Sequence, residues 1–137
     1  MKGWLVLLAA FLAGCACTAA GCASAVAFHV AFDIRREVDY EVEACVDGLC
    51  VEAVMNVDGP AAQTGDSVGA LTLWEDTDRL DLDLGDRDFS GSHEVALTIR
   101  DSSGAEVVSW SETVEMQPFQ PNGPWCGPTC WAAEIRP

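Results

Sequence analysis

Three stretches of the chain hold residue types that could do chemistry. The first is Cys126-Gly-Pro-Thr-Cys130, flanked by Trp125 and Trp131. Neighbouring thiols exchange electrons when one of them sits at a helix N-terminus, where the dipole lowers its pKa. In such sites two residues separate the sulfurs; here three do, and only Trp-Ala-Ala-Glu-Ile-Arg-Pro follows Cys130. That is too short for the helix and its surrounding fold. Cys126 and Cys130 are therefore expected to form a local structural disulfide, with a thiol–disulfide oxidoreductase as the alternative.

The second stretch, Gly65-Asp-Ser-Val-Gly69, matches the pattern of a strained serine nucleophile. That arrangement needs a strand before the serine and a helix after it. Ser67 instead follows Gly-Pro-Ala-Ala-Gln-Thr and precedes a strand-like Ala-Leu-Thr-Leu-Trp. The only histidines, His29 and His93, fall within strand patterns, so a loop is expected. The third stretch, Asp76–Asp88, clusters carboxylates as a hard cation would require. A calcium loop beginning at Asp76 fails, because Asp81 stands where glycine is needed and Arg87 where the final acid is needed. Leu80, Leu82 and Leu84 alternate with Asp81 and Asp83 as in a strand with one wet face, leaving calcium between flanking loops as an alternative. Neither histidine has zinc-ligand spacing to the other or to a cysteine pair. No catalytic, metal or cofactor-binding residue is assigned.

The elements around these stretches read as strands. Val26, Phe28, Val30, Phe32 and Ile34 recur at period two, as do Val38, Tyr40, Val42, Ala44 and Val46. Asp47-Gly48 has the chemistry of a two-residue hairpin turn, and Leu49, Val51, Ala53, Met55 and Val57 return on the same face. This register puts Cys45 opposite Cys50 in a non-hydrogen-bonded pair, within disulfide reach. It also sets Glu43 against Glu52, which is unfavourable unless water or an ion separates them. Residues 58–60 and 63–69 read as loops. Further strands are expected over Ala70–Trp74, Arg79–Leu84, His93–Ile99 and Glu106–Met116, with Asp101–Gly104 turning between the last two. Trp74 and Trp110 are expected in the core, and Trp125 and Trp131 beside the terminal disulfide. No helix-period window follows the leader, so seven or eight strands in an all-β two-sheet sandwich are expected.

The opening residues have one basic side chain, Lys2, then an apolar run ending in small residues, which reads as an export signal. Leu12-Ala-Gly-Cys15 resembles the lipobox of bacterial lipoproteins. The resemblance implies a signal peptide over 1–14 and a diacylglyceryl thioether on Cys15; the small-residue composition reads as a flexible tether over 15–24, and the strand patterns as a β-sandwich domain over 25–137. Ala19-Ala-Gly-Cys22 is a weaker lipobox, and an uncleaved anchor over Trp4–Phe28 is a further alternative. Two acyl chains suffice for stable anchoring. The expected place is the extracytoplasmic face of a cell membrane, held by lipid. Lys and Arg number seven against 22 carboxylates. Such an acidic domain repels nucleic acid and anionic headgroups. Of seven cysteines, acylation of one leaves an even number for pairing in an oxidising space. Cys17 and Cys22 are left undecided between pairing and free thiols.

Ser-Gly-Ser-His-Glu-Val-Ala-Leu-Thr-Ile-Arg through Val114 resembles the late hairpin of immunoglobulin-like and PKD-like bacterial sandwich domains. Ala-Cys-Val-Asp-Gly-Leu-Cys50 together with Pro-Asn-Gly-Pro-Trp-Cys-Gly-Pro-Thr-Cys130 is similar to small actinobacterial lipoproteins. These resemblances imply a scaffold and a location, and no activity. A non-catalytic surface interaction or structural module, with a protein or envelope partner, is the expectation; calcium-dependent adhesion and the thiol enzyme are the alternatives.

Overall fold

A computed structural model describes residues 21–35, 37–56, 58–65, 68–74 and 77–137. The leader, Cys15, Cys17, Val57, Ser67 and Asp76 lie outside the described residues. The strands are β1 (Ser24–His29), β2 (Tyr40–Val46), β3 (Leu49–Asn56), β4 (Gly59–Gly65) and β5 (Ala70–Leu73). They continue with β6 (Arg79–Gly85), β7 (Ser92–Arg100), β8 (Glu106–Glu115), β9 (Gln117–Phe119) and β10 (Cys130–Ile135). One sheet has the order β5-β6-β1-β10-β9 and the other β4-β3-β2-β7-β8. All pairings are antiparallel except β1 with β10, which is parallel. The chain is thus an all-β, immunoglobulin-like two-sheet sandwich, and no helix occurs among the described residues.

Period-two alternation decides which face of each strand is dry. Val26 and Phe28 of β1 and Leu80, Leu82 and Leu84 of β6 face Val42, Ala44 and Val46 of β2 and Val95, Leu97 and Ile99 of β7 in one core. The β2–β3 register pairs Val46 with Leu49, Cys45 with Cys50 and Glu43 with Glu52, as the hairpin reading requires. Asp47 and Gly48 both take positive φ, 52° and 78°, the backbone of a turn that matches strand twist. Leu49 is nevertheless 47% exposed, because it lies at the end of the sheet beyond the last β3–β4 pair, Val51 with Gly65.

β4, β9 and β10 add to the strands read from the sequence, and β1 stops at His29 although the alternation runs on to Ile34. β4 spans residues read as loop; it is an edge strand, where Pro60, which lacks an N–H, is tolerated, and it pairs across a register shift at Val54/Met55. β9 has three residues and a proline and joins its sheet only through β10. Trp74 is 48% exposed, not core: β5 ends at Leu73, and the indole Nε1 donates to Asp81 Oδ2 at 2.9 Å on the wet face. Trp110 does reach the core, edge-on to Phe28 at 6.3 Å.

Gly69 lies where the chain enters β5 against β6. A Cβ there would stand 1.9 Å from the Asp83 carbonyl oxygen and 3.3 Å from Leu82 Cδ1. Backbone cannot yield as a side-chain tip would, so the glycine admits close strand approach. Gly69→Ala is expected to lower stability by about 1–3 kcal/mol, the usual cost of overpacking. Urea unfolding followed by tryptophan emission measures it, and an unchanged midpoint would contradict the close approach.

Candidate functional site

The densest set of covalent and polar constraints gathers where β1 and β10 begin. Cys22 is bonded to Cys130, with α-carbons 6.1 Å apart and a sequence separation of 108. Cys126 is also disulfide-bonded, but Cys130 is already taken, so the expected Cys126–Cys130 bridge does not exist. The reason is strand register. Parallel pairing of Ala25 with Ala132 brings the residues before β1 alongside the start of β10, and Cys22 meets Cys130 there. The signal was in the register, which spacing along the chain does not reveal. Cys45–Cys50 is formed as its hairpin pairing dictates, with α-carbons 4.0 Å apart.

Ser24, a position that drew no functional reading from sequence, is the one fully buried polar residue among the described residues. Its hydroxyl accepts from the Trp131 amide at 3.0 Å and donates to the Arg87 carbonyl at 3.4 Å. Burial of a hydroxyl is tolerated because both interactions are made. It therefore ties the chain entrance, β10 and the segment after β6 together. The Arg87 guanidinium in turn donates to the Val68 carbonyl and stacks over Phe89.

Between β9 and β10 the chain makes an internally bonded loop. The Gly123 amide donates to the Gln120 carbonyl at 3.1 Å and the Cys126 amide to the Gly123 carbonyl at 3.2 Å. Asn122 Nδ2 donates to the Gly127 carbonyl and Gln120 Nε2 to Thr129 Oγ1, both at 2.9 Å. Cys126 and Cys130 are buried, whereas Trp125 is 92% exposed at φ 71°, a backbone region bulky residues rarely adopt. Trp125 therefore does not cover the disulfide; Trp131 packs partly on the core.

The remaining candidates sit apart from this corner. His93 Nδ1 donates to Asp47 Oδ2 at 2.7 Å and Nε2 to the Ser90 carbonyl at 3.1 Å. Both partners are acceptors, so the ring is best satisfied with two protons and no lone pair remains for a base. The bond to Asp47 raises the His93 pKa, and the same bond lowers that of Asp47, whose Oδ1 also accepts from the Glu94 amide. His29 Nδ1 lies 3.3 Å from Asp78 Oδ1, and its Nε2 is buried without a hydrogen-bond partner, sealed from any substrate.

In the acidic stretch, Asp81 accepts from Arg79 Nε at 2.7 Å, Asp83 from the Gly85 amide and Asp88 from the Ser90 amide. The amide of Ser90 holds the Asp88 carboxyl below its ordinary range, and Arg79 is raised by its bond to Asp81. Asp83 and Asp88 shape turns and face solvent, whereas Asp81, half-buried within β6, is held between Arg79 and Trp74. Among the described residues no three His, Cys, Asp or Glu side chains converge as a metal site. On the outer face of the second sheet, Glu41, Glu43, Glu52, Val54, Thr64 and Arg100 line a shallow concavity of about 330 Å³.

Comparison with protein-family models, with curated proteins and with solved structures finds no match.

Two outcomes check this geometry. The His93 contribution is full below the unfolded pKa of 6.5 and is lost as pH rises through the raised folded value. That of Asp47 is full above 3.8 and is lost as pH falls through the lowered folded value. The stability difference between the native chain and His93→Gln is expected to be largest between pH 3.8 and 6.5, and to shrink on either side. It should not exceed about 1 kcal/mol, since Asp47 is half exposed to solvent screening. Alkylation of unfolded, unreduced protein should label Cys130 in Cys22→Ser and leave Cys130 unlabelled in Cys126→Ser; the reverse would restore the Cys126–Cys130 pair.

Proposed function

We propose that the protein is a lipid-anchored, extracytoplasmic, non-catalytic interaction or structural module. The observation that carries this reading is that all five described cysteines are in disulfides. Thiols persist in reducing compartments, and structural disulfides belong to exported proteins. The Cys22–Cys130 bond disfavours acylation at Cys22, because a sulfur already joined to another sulfur is not free to form a thioether; the partner of Cys126 lies outside the described residues. The same bond argues against a thiol enzyme using Cys126 and Cys130, since these two do not form one dithiol couple. Both histidines are engaged in ways that disfavour a general base, as described above.

The acidic surface supports a protein or envelope partner and disfavours nucleic acid, because phosphate backbones are repelled by excess carboxylate. Calcium-dependent adhesion is disfavoured by the Asp81, Asp83 and Asp88 carboxylates, which are committed to local hydrogen bonds.

Mass spectrometry of the mature N-terminal peptide is expected to find a diacylglyceryl group on Cys15. Cys15→Ser should move the protein from the membrane fraction to the soluble one. An unmodified Cys15 in membrane-bound protein would overturn the anchor, and insulin reduction by the native protein would restore the enzyme reading.

A further inference from the structure

The loop joining β9 to β10 is an outlier in composition and in exposure. From Met116 to Ala133 the sequence contains no Asp, Glu, Lys, Arg or His, in a chain with 22 carboxylates. Trp125 stands 92% exposed and Phe119 at the end of β9 is 40% exposed. An exposed indole is the costliest side chain to leave in water, and this one is held out by bonds within the loop and by buried cystines on its own segment. The place of the loop is equally particular. It follows Phe119 and precedes Cys130, at the end of the sandwich where Cys22 is bonded and where the chain enters β1.

We infer that the 119–131 segment, led by Trp125, is a membrane-contacting edge that seats the domain on the bilayer interface. The inference rests on the anchor proposed above. From an acylated Cys15, seven residues reach Cys22, a span of at most about 25 Å when extended. The Cys22–Cys130 bond then fixes where this short leash joins the domain. The loop beside that bond is consequently held near the lipid, as is the 86–88 turn that Ser24 bonds, and composition separates the two. Tryptophan favours the headgroup level, where its ring is dry and its N–H remains hydrated. Charge selects the same edge: carboxylate-rich faces are repelled by anionic lipid, whereas a neutral segment is not. Asp47, Asp86 and Asp88 lie at this end of the sandwich but on other loops, and all three are exposed. Contact should therefore work on neutral lipid and gain nothing from anionic lipid.

The test uses the mature protein extracted from cell membranes, as native chain and as Trp125→Phe. Each is reconstituted into phosphatidylcholine vesicles with or without brominated lipid. Subtracting the emission of the variant isolates Trp125, and flotation reports the anchor separately. Expected are flotation of both proteins, a blue-shifted Trp125 signal and loss of most of that signal on brominated lipid, unchanged by added phosphatidylglycerol. Flotation with an unshifted, unquenched Trp125 signal overturns the inference and leaves the anchor standing. Failure of both proteins to float overturns the anchor and this contact with it. Protection of Trp125 from acrylamide in native envelopes but not in pure vesicles would identify a protein as the occupant, which also overturns the inference.

Discussion

The parallel contact of β1 with β10 holds the first sheet together. β10 reaches that sheet only through β1, and β9 reaches it only through β10. The contact joins residues more than a hundred positions apart, so its loop-closure entropy is among the largest in the chain. Three devices offset it at one place: the Cys22–Cys130 bond, the Ser24 hydroxyl and the ladder from Ala25–Ala132 to Phe28–Ile135. A disulfide closing so long a loop constrains the unfolded chain far more than Cys45–Cys50, which closes five residues already held by a hairpin.

Charge is arranged around this frame in a consistent way. Carboxylates on β6 and its flanking turns accept from backbone amides or from Arg79. At the tip of the β2–β3 hairpin, Asp47 fastens the turn to His93 and Glu94 on β7. The directly opposed Glu43 and Glu52 are accommodated on the open outer face, where water screens them. The acidity of the domain is thus partly local architecture and partly surface field.

Much of the sandwich was legible because period-two alternation reports a half-buried strand whatever its partner. β2, β3, β6 and β7 show that alternation cleanly, and Asp47-Gly48 fixes the hairpin register that pairs Cys45 with Cys50. Legibility fails where local composition and tertiary context disagree. Residues 59–65 have the glycine, proline and alanine of a loop, yet β3 offers them an edge to join. The expected Cys126–Cys130 bridge misleads for a related reason: closeness in sequence made it look inexpensive, while the β1–β10 register brought a more distant sulfur closer. Trp74 shows the same limit, since an aromatic at the end of a strand pattern says nothing about whether a second layer covers it.

Each lateral rim of the two sheets carries a feature that discourages annealing with a neighbouring molecule. β4 and β9 contain Pro60 and Pro118, which have no N–H to offer, and β5 is only four residues long. β8 is longer, but Glu112 occupies a core-side position opposite Val95 while remaining exposed. An inward-aimed carboxylate would be stranded without water if another strand docked there. Guarded rims let copies of the domain meet edge to edge and still remain separate bodies, without fusing into a continuous fibrous sheet.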